Sequence, residues 1–513
     1  MEGRLRSAEF LAVIGMATDL GLGLPMEHTV RACLLSMELG RRGGLGPGEL
    51  SDLYYLTLVR MLGCTTDSHY YSEVFGDEVA FSRDIQHLDF GDAEGFGRWV
   101  MESFAAGRPA DERQRMIEKL FSYSPDTRRA ALLGHCEVAR LLAARLGLPA
   151  SVVAGLDYVF ERWDGTGAPN GVGGESIAPM VRVLVLANEI EVHHRLGGRD
   201  AAVATARLRS GGEFDPTLVE VFCADPDAVL AVIGGPSLWD DLLAAEPAPH
   251  RVTGTEGLIE AGRVMADFAE QKSAFFAGHS AQVAELAIRA GERQGLSRGE
   301  LATLRFAGLA HDLGRVAVTT AIWDKPGPLT DTEWESVRLH PYYSERMLAK
   351  VPALAEAAAL AGAHHERCDG SGYHRGSRAQ SGPSCVLAAA DAYVAMRHAR
   401  AYRPALDPDR AGAELRALAG AGRLEPGAVN AVLAAAGDTG PRVRRQWPAG
   451  LTDREVDVLR RIAAGDSIQQ AAATLSLAPK TVDFHLQNIY AKAGVTTRAG
   501  ATLFAVQNDL LPA

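Results

Sequence analysis

The chain has 513 residues, 47% of them apolar and 23% charged. That is the balance of a folded protein with about two to four domains, and it excludes a disordered, collagen-like or disulfide-scaffold chain. The net charge of −12, from 52 basic and 64 acidic side chains, excludes a surface that binds nucleic acid everywhere, so any DNA contact has to be local.

Alanine and leucine are abundant, aromatics make up 7%, and strand-like alternation is scarce, so an all-α protein is expected. Residues 10–26, behind Arg4 and Arg6, are the one signal-like stretch. They contain Asp19, and no clear small-residue cleavage site follows, so no signal peptide is expected. No apolar run approaches the roughly 18 residues of a spanning helix, so no membrane partner is expected. Cys33, Cys64, Cys136, Cys223, Cys368 and Cys385 are scattered, with no C-x-x-C pair. This usage points to a reduced, cytoplasmic chain.

The chain then repeats itself. His28 precedes Arg60 by 32 residues, as His279 precedes His311; His135 precedes Asp164 by 29, as His340 precedes Asp369. Residues 58–63 align without a gap with 309–314, and the block Glu161, Arg162, Trp163, Asp164, Gly165, Thr166, Gly167 aligns with Glu366, Arg367, Cys368, Asp369, Gly370, Ser371, Gly372. Two tandem copies of one helical bundle are expected, over residues 1–245 and 255–436. The first copy carries an insertion around residues 76–125, and residues 244–254, with two prolines, read as the linker between copies.

Between the copies the chemistry changes sides. Arg60, Met61, Val159, Phe160 and Asn188 stand in the first where His311, Asp312, His364, His365 and Asp391 stand in the second. The first is expected to keep the shape and not the metal, which leaves His28 and His135 structural. In the second, helices over residues 300–313, from 354 and over 385–396 can point His279, His311, Asp312, His340, His364, His365 and Asp391 at one centre. Mixed imidazole and carboxylate donors suit iron, manganese or zinc, and their burial would be costly without a cation.

His311, Asp312, Leu313, Gly314, Arg315, Val316 resemble the motif of HD phosphohydrolases. Residues 364–374, from His364 and His365 through Asp369, Gly370, Gly372 and Tyr373 to His374, resemble the signature of the HD-GYP subfamily. The resemblance spans roughly residues 255–400. It implies a binuclear metal phosphodiesterase acting on cyclic dinucleotides such as cyclic di-GMP, with two divalent ions, iron or manganese first. It also implies that Asp312 bridges them while the five histidines and Asp391 complete their shells. Arg315 would contact the substrate phosphate, with Asp369, Gly370, Gly372 and Tyr373 in the substrate loop. Arg315 replaces the usual lysine and His374 the usual proline. Phe275 stands in place of the acid of three-metal members, so two metals are expected.

After a second linker at residues 437–450, with Arg442, Arg444 and Arg445, comes a module over residues 450–513. Thr452 with Glu455 and Ser467 with Gln470 are capping boxes, Pro479 opens a third helix, and Val482, Leu486 and Ile489 form its buried stripe. This is a helix-turn-helix. Leu451, Thr452, Glu455, Lys480, Thr481, Val482, His485, Asn488, Ile489, Tyr490, Lys492 and Gly494 resemble the LuxR-type C-terminal domain. The resemblance implies that the third helix enters the major groove of double-stranded DNA, with Lys480, Thr481, His485, Asn488 and Lys492 as the contacts and a homodimer on the operator. The combined expectation is a phosphodiesterase that binds DNA and controls transcription. The alternatives are a catalytically inactive nucleotide-sensing transcription factor and a hydrolase of another nucleotide.

Overall fold

The computed structural model describes residues 5–122, 125–378, 382–437, 447–508 and 510–511. The run Arg442, Arg444, Arg445 lies outside them. The fold is all-α; the strands among the described residues are two of two residues each, Leu5–Arg6 and Val252–Thr253. Among the described residues no single helix is long and apolar enough to cross a membrane. The chain divides into a unit Arg6–Val252 and a unit comprising Met1–Leu5 and Thr253–Ala513.

In the first unit the helices Ser7–Gly21, His28–Arg42, Pro47–Val59 and Pro179–Leu208 pack around a core of Phe10, Leu11, Leu35, Tyr54, Leu56 and Val183. Pro47 pre-sets the first turn of its helix, and the Glu49 carboxylate accepts from the Gly46 N–H at 2.9 Å. The expected insertion is itself folded. Its helices Ser68–Phe75, Glu78–Ile85, Ala93–Glu102 and Ala110–Ser122 enclose a separate cluster of Val74, Phe75, Val100, Phe104, Ile117 and Leu120. Asp77 and Asp92 cap the middle two. The expected linker starts as a fixed segment: Glu246 is buried and accepts from Tyr55 Oη and Arg6 Nε, each at 2.6 Å.

In the second unit His279–Arg293 packs on Arg298–Ala310 and Gly382–Arg397. The first two lie so close that a Cβ on Gly308 would sit 2.8 Å from Ala284 Cα. Ser297 and Glu300 form a capping box that starts Arg298–Ala310, so His311 and Asp312 fall at its C-terminal end, as the sequence suggests. His279 follows Gly278, whose φ of 74° turns the chain into the helix. The buried Glu270 carboxylate accepts from the Gly278 and Ser280 N–H groups, satisfying that helix start.

The same devices recur inside each unit. A Cβ on Gly63 would meet the His135 carbonyl oxygen at 2.1 Å, and one on Gly314 the His340 carbonyl oxygen at 2.1 Å. The Glu161 carboxylate accepts from the backbone of Asn170 and Val172, and that of Glu366 from Arg375 and Ser377.

The C-terminal helices Asp453–Ala463, Ile468–Leu475, Pro479–Ala493 and Arg498–Gln507 form their own small core of Val456, Leu459, Ile462, Val482, Leu486, Ile489 and Leu503. Both expected capping boxes are present, and Ala478 gives its helix no side-chain cap.

Candidate functional site

Seven side chains from five stretches of chain converge in the second unit: His279, His311, Asp312, His340, His364, His365 and Asp391. All are buried except His365, which is 15% exposed. Their donor atoms gather as two triads, His279, His311, Asp312 and His340, His364, His365, each within 4.8 Å. Asp312 faces both. Its Oδ2 lies 2.9 Å from His311 Nε2 and 3.5 Å from His279 Nε2. Its Oδ1 lies 3.3 Å from His340 Nε2 and 3.6 Å from His364 Nε2. Asp391 closes the other side, with Oδ1 3.1 Å from His279 Nε2 and Oδ2 3.8 Å from His365 Nδ1.

Backbone carbonyls three residues back fix which imidazole nitrogen points inward. His311 Nδ1 donates to Gly308, His340 Nδ1 to Val337 and His364 Nδ1 to Ala361, at 2.8, 2.6 and 2.6 Å. That leaves three Nε2 atoms aimed at the centre in the ligand tautomer. Asp312 Oδ1 is buried without a hydrogen-bond partner, and Oδ2, equally buried, meets only the ion-pair contacts of the imidazoles and Arg315. Orphaned acceptors at that depth are what a cation satisfies, so the donor set fits divalent metal.

The electrostatics agree. Burial pushes His364 and His365 well below the usual imidazole range and His279 down to about 4, keeping them neutral. Burial opposes the charge of Asp312, but Arg315 and His311 outweigh it and hold its carboxyl well below the usual range. His311 is pushed up to about 10, because Asp312 overcomes the cost of burial.

Arg315 does not point into open space. Its Nη2 is 2.8 Å from Asp312 Oδ2, and its guanidinium packs against the rings of Phe276, at 4.2 Å, and Trp323, at 5.4 Å, which themselves meet edge-on. Those two rings carry no signal in the sequence pattern. In the expected substrate loop, the Tyr373 ring packs at a tilt on His365, with centroids 4.6 Å apart. Asp369 accepts from Ser371 at the exposed rim, Gly370 adopts a φ of 81°, and Gly372 backs onto Arg367 N, where a Cβ would fall 2.5 Å away. His374 packs on Tyr342 and lies 4.0 Å from Glu345. Phe275 bears no donor side chain, and its carbonyl accepts from Arg400.

In the first unit the corresponding place is filled by protein. His28 Nδ1 meets Glu191 at 2.5 Å and Nε2 meets Asn188 at 2.9 Å, while His135 packs on Phe160 at 4.8 Å. The sequence comparison finds no partner for His28; the buried Glu191 supplies one. Among the described residues, both potential metal triads lie in the second unit.

On the helix Pro479–Ala493 the outward stripe is Lys480, Asp483, Phe484 and Gln487, at helical spacing and opposite the buried Val482, Leu486 and Ile489. Phe484 is 62% exposed. Thr481, His485 and Asn488 are half-buried on its flanks. Lys492 is exposed but tied down, 2.7 Å from the buried Glu455 Oε2 and 3.1 Å from the Gly450 carbonyl. Of the five expected contacts, Lys480 alone is on the stripe. Lys492 is committed to an ion pair, because Glu455, 37 residues away in sequence, folds beneath it.

Residues 263–427 match the HD domain family, and residues 449–505 match the bacterial regulatory proteins of the luxR family. The chain carries an HD domain and a LuxR-type regulatory domain. It is 28% identical over 414 residues to 3′3′-cGAMP-specific phosphodiesterase 3 of Vibrio cholerae, an alignment covering 79% of this chain and 89% of that protein. The crystal structure of a cyclic GMP-AMP specific phosphodiesterase from V. cholerae superposes with a TM-score of 0.60 at 25% identity, covering 86% of this chain and 99% of that one. Over 61 residues, 12% of this chain and 28% of the relative, the chain is 49% identical to a probable transcriptional regulatory protein, NarL, of Mycobacterium tuberculosis.

Proposed function

We propose that the chain is a cytoplasmic metal-dependent phosphodiesterase of cyclic dinucleotides that also binds DNA and controls transcription. The observation that carries the enzymatic half is Asp312, one oxygen toward each of two triads. His279, His311 and Asp391 would hold one ion and His340, His364 and His365 the other, with Asp312 shared and iron or manganese the expected metals. Bound there, two divalent cations supply the Lewis acidity for in-line displacement at phosphorus. The protein's own part is to keep His279, His340, His364 and His365 neutral by burial, orient the imidazoles through backbone carbonyls and exclude bulk water. Arg315, packed on the Phe276 and Trp323 rings, lies beside the shared carboxylate, where a substrate phosphate can draw it away. Tyr373 and the loop around Gly370 and Gly372 offer a stacking ring and close backbone for the nucleotide.

The matched spacings and the recurring Gly63/Gly314 and Glu161/Glu366 devices support a duplication, with the first copy retained for its shape. The capped helices of the module and the stripe on Pro479–Ala493 support major-groove binding by a homodimer.

A second reading is a nucleotide receptor without turnover. The contact of Arg315 with Asp312 at 2.8 Å favours it, because a guanidinium on the shared carboxylate competes with a cation. Turnover of cyclic di-GMP and 3′3′-cGAMP by anaerobically purified protein with iron or manganese, against Asp312→Ala, decides. We expect metal-dependent product that disappears in the variant; tight nucleotide binding without product establishes the receptor.

A further inference from the structure

A second convergence of charge lies in the unit Arg6–Val252. Three guanidiniums from different parts of the frame face one segment there: Arg162 from the loop after Glu161, Arg195 from the helix Pro179–Leu208, and Arg209 just beyond that helix. Their side chains are 13%, 22% and 6% exposed. Acids of the frame hold them in place: Glu191 lies 3.4 Å from Arg195 Nε, Glu189 and Glu213 lie 2.9 and 3.1 Å from Arg209 Nη1, and Asp164 and Glu213 each lie 3.6 Å from Arg162.

Every one of the three is also engaged by one short segment of the insertion, between the helices Glu78–Ile85 and Ala93–Glu102. Arg195 Nη2 donates to Gln86 Oε1, Arg209 Nη2 to the His87 carbonyl at 2.8 Å, and Arg162 Nη1 to Asp89 Oδ1 at 2.8 Å. Asp89 Oδ2 also lies 3.9 Å from Arg209 Nε. The strap follows the guanidinium closely, for a Cβ on Gly91 would fall 2.5 Å from Arg162 Nη2. An amide oxygen, a carbonyl and a carboxylate are thus presented to three guanidinium forks, an arrangement of acceptors that a phosphorylated ligand can replace. The strap belongs to a body with its own hydrophobic core, so it can lift without dismantling the frame.

We propose that this mouth is a receptor site for a phosphorylated nucleotide, with Asp89 standing in a phosphate's place until the ligand displaces the strap. The anion class follows from what the strap takes with it, the Asp89 carboxylate shared by Arg162 and Arg209. The nucleotide class rests on the proposed duplication, since Arg162 and Asp164 belong to the loop that corresponds to the substrate loop at Arg367 and Asp369. With His28 paired to Glu191 and phenylalanine in place of a ligand histidine, the ligand is bound and not hydrolysed.

Isothermal titration of cyclic di-GMP and of 3′3′-cGAMP into full-length Asp312→Ala protein, stripped of metal by chelator, tests this. Removing the internal competitor with Asp89→Asn should tighten one of them by about tenfold, and Arg162→Gln or Arg195→Gln should weaken it by at least as much. Amide exchange at residues 86–91 should quicken on binding. Absence of binding in Asp89→Asn, or an affinity unmoved by Asp89→Asn and by both arginine variants, overturns the proposal. Because hydrolysis takes no part in the readout, failure here is separable from failure of the phosphodiesterase reading.

Discussion

Gly314 occupies the point where the helix end bearing His311 and Asp312 touches the turn bearing His340. Any side chain there meets the His340 carbonyl oxygen at 2.1 Å and Ser344 N at 2.8 Å, and these are backbone atoms that cannot rotate away. Gly63 is in the same position against His135, where no metal is expected. Gly314→Ala and Gly63→Ala should therefore each cost about 2–3 kcal/mol through overpacking. Only Gly314→Ala should also shed metal, since it displaces His340 from its triad. Denaturant unfolding and metal analysis of the two variants check this; equal metal content in both would refute it. The paired glycines are legible in the sequence through the alignment of residues 58–63 with 309–314. The steric reason for them is not, because it involves a carbonyl 26 residues further on in the second unit.

The loop after Glu366 belongs to a larger scale. One buried carboxylate ties its return, accepting from Arg375 N and Ser377 N, each at 2.7 Å. Hydrogen bonds to a charged acceptor are worth about 1.5–3 kcal/mol each, so Glu366→Ala should release the loop that carries Gly370, Gly372 and Tyr373. Turnover should fall at least tenfold through a raised KM while metal content stays at the wild-type level; Glu161→Ala, its counterpart, should leave turnover unchanged. Steady-state kinetics with metal analysis separate the two outcomes. Elements of this kind were readable where local chemistry sets them. The capping boxes at Thr452 and Ser467 and the stripe Val482, Leu486, Ile489 are all observed. Elements set by distant partners were not. The separate core of the insertion joins Val74 to Leu120 across four short helices. The pairing of His28 with Glu191 spans 163 residues, and Lys492 is held in an ion pair because Glu455 lies beneath it.

For the whole molecule, the decisive quantity is a net charge of −12 confronting a polyanion. The module over residues 451–513 has six basic side chains, and five of them are occupied. Arg454 donates to the Leu475 carbonyl, Arg460 to that of Leu510, and Arg498 to those of Ile462 and Asp466. Arg461 pairs with Asp466, and Lys492 pairs with Glu455. Lys480 remains, on the stripe beside Asp483. Each phosphate neutralised contributes a slope of about −0.9 to log K against log salt, so two modules with one lysine each would give only about −2. That is too little attraction to hold so acidic a chain on DNA at physiological salt. Arg442, Arg444 and Arg445 immediately precede the module in sequence, and with them the proposed dimer would neutralise about eight phosphates, for a slope near −7. We therefore expect operator binding by the full-length protein to be steeply salt-dependent. The triple variant Arg442→Ala, Arg444→Ala, Arg445→Ala should lose most of that slope and fall toward −2, while keeping its sequence preference through the outward stripe. Fluorescence anisotropy on an operator selected in vitro, repeated across a salt series, measures both quantities. A shallow slope in the parent protein, or an unchanged slope in the triple variant, would show that these arginines do not touch the phosphates.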